Sequence, residues 1–185
     1  MPLATLILVG LNVLAYRLEL DVGGMAACEA YGLIPAQFAR SGDLAPLATS
    51  LFLHDPTGWG HLVGNMAFLA VFGALVEGAL GGPLFLALYG LAGASGGLLH
   101  VLCAPTAAIP LVGASGAIFG VLAVATVLRP RLLGFAVTFV GFEVWRALTG
   151  ENAAVSVGAH LGGFAAGVLV AMMLRVVGSE ALEAA

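Results

Sequence analysis

Apolar residues run along this chain in long stretches separated by short polar punctuation. The stretches cover about Pro2 to Leu18, Gly60 to Leu80, Pro83 to Cys103, Leu111 to Leu128, Leu132 to Leu148 and Ala153 to Val177. Each approaches the length of about 20 helical residues that crosses a hydrocarbon core about 30 Å thick. A helix suits that setting because it satisfies its own backbone hydrogen bonds where no water can. The pattern predicts an all-α polytopic membrane protein, six spans bundled into one domain over residues 1–185. Most connections are short and marked by Gly81-Gly82-Pro83, Pro105, Pro110 and Arg129-Pro130-Arg131. One is long, from about Glu19 to Trp59. Its apolar patches, Tyr31 to Pro35 and Leu47 to Leu53, predict a loop lying against the membrane surface.

Composition strengthens this reading. Of 185 residues 61% are apolar and 9% charged, with a mean hydropathy of +1.10. In water such a chain would expose more hydrocarbon than its polar groups could screen. Ten acids face six arginines, giving a net charge of −4, and there is no lysine. Without a basic run, nucleic acid is excluded as a partner. The N-terminus enters its apolar run within two residues and lacks a basic lead, so it reads as a first span and not as a cleaved signal. Alternating spans put Arg129, Arg131 and Arg175 on one side and Arg17, Arg40 and Arg146 on the other. Arg129 and Arg131 lie in a short loop, where the positive-inside rule weighs most, which places the N-terminus in the cytoplasm and the long loop outside. Cys28 and Cys103 have neither metal-site spacing nor disulfide-scaffold density and read as unpaired apolar fillers.

A polar side chain in hydrocarbon is costly unless paired, so those within the spans carry the chemical information. Span two begins with His61 and has Asn65 one turn on. Span four carries Ser115 in Gly113-Ala114-Ser115-Gly116, and span six carries His160 in Ala159-His160-Leu161-Gly162-Gly163. Spans two, four and six enter from one face, and each residue falls within the first turns after entry, so all are expected at one depth. Glycines four apart, Gly116 and Gly120 with Gly163 and Gly167, would let spans four and six approach closely.

A serine hydroxyl becomes a nucleophile when a base takes its proton, and histidine is the usual base. Ser115 would attack and His160 would accept the proton. The amide of Asn65, a ring N–H of His61 and the backbone N–H of Ser115 could serve the resulting oxyanion. No aspartate lies in the spans, so a dyad is expected. The bland readings compete. Ser95, in Gly93-Ala94-Ser95-Gly96, repeats the motif without a histidine at matching depth and reads as packing. His54, His100 and Glu77 read as structural. The four histidines offer no close metal-ligand spacing and no accompanying carboxylate or thiol, so neither metal nor cofactor is expected. A transporter or channel would need ionisable groups along a path, and Glu77 and Glu143 are too few and too near the span ends.

The chain resembles the rhomboid family of intramembrane serine proteases over nearly its whole length. The matching pieces are Phe52-Leu53-His54 leading to His61-Leu62-Val63-Gly64-Asn65-Met66, then Gly113 to Gly120, then Ala159 to Gly163. The resemblance implies a rhomboid-like bundle of the minimal bacterial type, in a plasma (inner) membrane, with serine and histidine in a water-filled cavity opening outwards. It implies substrates that are membrane-anchored proteins cut in or beside a transmembrane segment. By position Ser115 and His160 match the catalytic pair, and His61 and Asn65 the oxyanion donors. Phe119 matches an aromatic packed on the histidine, with Gly113, Gly116 and Gly163 in support. The Trp-Arg pair common in the family's first loop is replaced by Leu44 to Thr49, and the stretch from His54 to His61 is about two residues longer than usual. The alternative is a non-catalytic relative that binds transmembrane segments.

Overall fold

A computed structural model describes residues 2–149 and 157–183. All regular secondary structure among the described residues is helical, apart from a single antiparallel bridge between Leu33 and Leu111. Helix α1 runs Leu3–Asp21, and the long connection holds α2 (Met25–Tyr31), α3 (Pro35–Ser41) and α4 (Ala45–Thr49). Then come α5 (Gly60–Leu80) and α6 (Gly82–Cys103), followed by α7 (Ser115–Leu128), α8 (Leu133–Thr149) and α9 (Val157–Glu183). Proline opens α3, α4 and α6 near the first helical position, where its missing N–H costs nothing.

Four helices are long and apolar enough to cross a membrane: Leu3–Asp21, Gly60–Leu80, Gly82–Cys103 and Val157–Leu174. With the shorter apolar α7, they make this a polytopic membrane protein. Four of the six expected stretches thus form helices of spanning length among the described residues. The fourth expected span begins at Ser115 and not at Leu111, and its 14 residues reach only about 21 Å. Residues before it are held extended: Leu33 and Leu111 exchange backbone N–H···O bonds of 3.1 and 2.9 Å, and Gly113 has a φ of +120° that ends any helix there. Helix α8 has 17 residues. The first residues of the expected sixth span, 153–156, lie outside the described residues.

The long connection is a second correction, for it is three short helices and not a loop. Helices α3 and α4 pack on α6, whose glycines admit side chains of this connection: a Cβ on Gly93 would meet the Leu51 side chain at 2.6 Å, and one on Gly97 would meet Leu33 and Leu47 at 2.9 and 3.0 Å.

Helix α1 shows how the bundle sorts its faces. Thr5, Leu8, Asn12, Tyr16 and Glu19, three or four apart, are buried together with Ala4, while Leu14 and Leu18 on the other side are 55% exposed. Exposed leucines on a helix of bilayer length form a lipid-facing surface. Glu77 ties α1 to α5, its carboxylate accepting from the Ala4 and Thr5 N–H groups at 2.8 and 2.7 Å and from the Thr5 hydroxyl at 2.8 Å. It satisfies donors that the first turn of a helix leaves open.

Helix α7 is the centre, with Gly116 through Ala125 all buried. It packs on α9 through backbone. A Cβ on Gly163 would collide with the Gly116 carbonyl oxygen, and one on Gly167 with that of Gly120. Helix α6 closes the other side, where a Cβ on Gly162 would meet the Ser95 carbonyl at 2.9 Å and one on Gly158 the His100 Cα at the same distance. Ser95 thus lies in a helix-packing seam.

Candidate active site

The close seam between α7 and α9 fixes the two residues at one of its ends. Ser115 is the first residue of α7 and His160 the fourth of α9. Ser115 Oγ lies 2.8 Å from His160 Nε2. One turn after Ser115, Phe119 stacks on the imidazole with centroids 4.4 Å apart and planes 2° from parallel. That contact holds the ring plane so that Nε2 faces the hydroxyl.

Donors line the opposite wall. The backbone N–H of Asp55 lies 3.2 Å from His61 Nδ1, and a nitrogen that accepts carries no proton. The His61 proton therefore sits on Nε2. Asn65 Nδ2 is buried and has no protein partner, an unusual state for an amide that could donate twice. Gly113 makes room for the His61 ring, for a Cβ there would lie 2.8 Å from His61 Cε1 and 2.9 Å from its Nε2. The Ser115 N–H, at the first turn of α7, is one of the donors the helix leaves open at its positive end.

These groups border a cavity of about 660 Å3, also lined by Phe68, Ile118, Phe139 and Phe142. It is an apolar room with a few converging polar groups, the usual form of a small-molecule or peptide site. Cys28 also reaches it, but burial, followed by hydrogen bonding to Glu19, pushes this thiol up to about 12. It stays protonated at neutral pH and offers no rival nucleophile. Both cysteines are free, Cys28 buried and Cys103 exposed.

With a serine hydroxyl, an imidazole and an unpartnered amide around one cavity, the comparison with known proteins is decisive for kinship. The rhomboid domain is matched over residues 41–176. The chain belongs to the rhomboid family. Many members of that family are serine proteases. No curated protein matches the chain. The rhomboid match takes in Ser115, His160, His61, Asn65, Phe119 and the glycines Gly113, Gly116 and Gly163, while α1 to α3 up to residue 40 precede it.

Two residues of this rhomboid site were passed over in the sequence. Glu143, on α8, is buried, and its Oε2 lies 3.1 Å from His160 Nδ1. The approach is close enough for charge attraction, but it misses the line of an aligned N–H···O bond. Arg146, one turn on, reaches the same carboxylate at 3.2 Å. An acid thus stands beside the pair, although no aspartate lies in the spans. The overlooked signal is a spacing: Phe139, Phe142, Glu143 and Arg146 share one helix face and all line the cavity. Among the described residues no group of three potential metal ligands gathers.

Proposed function

We propose that this rhomboid protein is an intramembrane serine endopeptidase, a single domain of six spans with a cytoplasmic N-terminus, cutting membrane-anchored proteins in or beside a transmembrane segment. In this reading α7 and α8 serve as spans despite their length, each completed by its flanking residues. The observation that carries the function is the 2.8 Å contact between Ser115 Oγ and His160 Nε2, facing a cavity whose buried Asn65 amide has no protein partner.

In the proposed reaction His160 Nε2 takes the hydroxyl proton as Ser115 Oγ bonds to the scissile carbonyl carbon. The carbonyl oxygen becomes an oxyanion that accepts from the His61 Nε2–H, the Asn65 amide and the Ser115 N–H. As the C–N bond breaks, His160 returns the proton to the departing amine, leaving an ester on Ser115. Water then repeats the sequence: His160 removes its proton, the ester carbon is attacked, and Ser115 Oγ leaves with the proton. Stacking on Phe119 and the α7–α9 seam keep the base in place, so little reorganisation is needed.

A non-catalytic binder of transmembrane segments has no use for a serine hydroxyl held on a histidine nitrogen. The test is cleavage of a single-span substrate by purified protein in detergent, with Ser115→Ala and His160→Ala beside the wild type. Cleavage by the wild type alone supports the reading. Equal cleavage by all three, or by none while the wild type is folded, overturns it.

A further inference from the structure

We infer that Glu143 is a positioning residue for His160, converting the expected pair into a serine–histidine–glutamate relay. The inference rests on the peptidase reading and adds a third member to it.

His160 has two ring nitrogens with different neighbours. Nε2 lies 2.8 Å from Ser115 Oγ and must be unprotonated to act as base. In the neutral ring the proton is then on Nδ1, the atom that faces Glu143 Oε2 at 3.1 Å. A carboxylate beside Nδ1 favours this tautomer over the other, and it favours the positive ring that forms during attack. Since Phe119 already fixes the ring plane, the carboxylate acts through charge and proton placement, which suits its off-line approach.

The titratable and charged groups around the imidazole come from two helices. Glu143 and Arg146 face it from α8, with Arg146 3.2 Å from Glu143 Oε1, and His61 faces it across the cavity from α5. Arg146, itself one-quarter exposed, draws part of the carboxylate's field away, so the effect should fall below that of an unshared aspartate in a soluble triad. The chain pathway is also short: α8 and α9 are sequential, so Glu143 near the outer end of one lies level with His160 near the outer start of the next.

The experiment follows cleavage of a single-span substrate and fluorophosphonate labelling of Ser115, in which Oγ bonds to phosphorus and fluoride leaves. It compares the wild type with Glu143→Gln, Glu143→Ala and Glu143→Asp. Glu143→Gln and Glu143→Ala are expected to lose about 10- to 100-fold in kcat with KM within about twofold, and to slow labelling in parallel. Glu143→Asp should recover part of both, which a packing role would not. On the wild type itself, nitrogen-15 NMR of resting His160 should show the proton on Nδ1. An active wild type with the proton on Nε2, or variants as fast as the wild type, overturns the role of Glu143 and leaves the peptidase reading standing. A wild type that neither cuts nor labels overturns both.

Discussion

Replacing Gly163 by alanine adds one methyl group and tests whether the α7–α9 seam sets the site. The new Cβ would overlap the Gly116 carbonyl oxygen and lie 3.3 Å from that of Ala92, both backbone atoms on neighbouring helices. Neither can rotate away, so the helices must part by about 1 Å. Overpacking of this kind costs about 1 to 3 kcal/mol. The larger effect falls on the chemistry, because Gly116 follows Ser115 and Gly163 is three residues past His160, so the parting acts almost directly on their 2.8 Å contact. A displacement near 1 Å in a reacting pair costs about 100-fold in rate. Gly10→Ala is the control: on α1 an added Cβ meets nothing within 4 Å, and alanine there should be neutral or stabilising by about 0.5 to 1 kcal/mol. Cleavage rate and thermal midpoint in detergent would be measured for both. Gly163→Ala with wild-type cleavage would refute the claim that this seam aligns the two residues.

Other positions give sharper single readouts. Asn65→Ala removes the buried amide donor and is expected to lower kcat about 100- to 1,000-fold with little change in thermal midpoint; unchanged kcat would remove Asn65 from the proposed oxyanion site. His54, fully buried before α5 with neither ring nitrogen hydrogen-bonded, is held down to about 4 by burial and, secondarily, by His61. The unfolded ring gains its proton as pH falls through about 6.5, whereas the folded ring stays neutral until about pH 4. Stability is therefore full above pH 6.5 and falls by up to about 3 kcal/mol on descending to pH 4. Unfolding of wild type and His54→Gln at pH 7 and 4.5 checks this, and equal pH sensitivity in both would exclude His54 as the cause.

The helical bundle was legible because a bilayer leaves the sequence few choices. Long apolar runs between glycine and proline punctuation located α1, α5 and α6 to within about three residues of their bounds and fell on the apolar part of α9. What the runs concealed is where helix begins inside an apolar stretch. Leu111 and Val112 are as apolar as the helix that follows, yet they stay extended because Leu111 pairs with Leu33 from nearly 80 residues earlier and Gly113 turns to a positive φ. No local pattern carries that long-range pairing. The same holds for the 19–59 connection. Its helices gain stability from packing into the glycine-lined face of α6, a surface that exists only once the bundle has formed.

At the site the legible part was the depth argument. Helices entering from the same face carry their early residues at one level, and Ser115, His160, His61 and Asn65 do border one cavity. Applied only to entering helices, that argument is half complete. A helix that leaves by the same face brings its late residues to the same level, and Glu143 lies six residues before the end of α8 at Thr149, about 9 Å along the axis. Its nearness to the span end was grounds for setting it aside, yet that nearness is what brings it level with His160. Burial of an acid in hydrocarbon demands a partner, and two nitrogen-bearing side chains were in reach: Arg146 one turn away on the same face, and a histidine at the start of the next helix. The arginine alone would account for the glutamate as an ordinary helix ion pair. It is the carboxylate's second contact, 3.1 Å to the nitrogen opposite the one facing Ser115, that links the pair to the site, and only the three-dimensional arrangement of α8 against α9 supplies it.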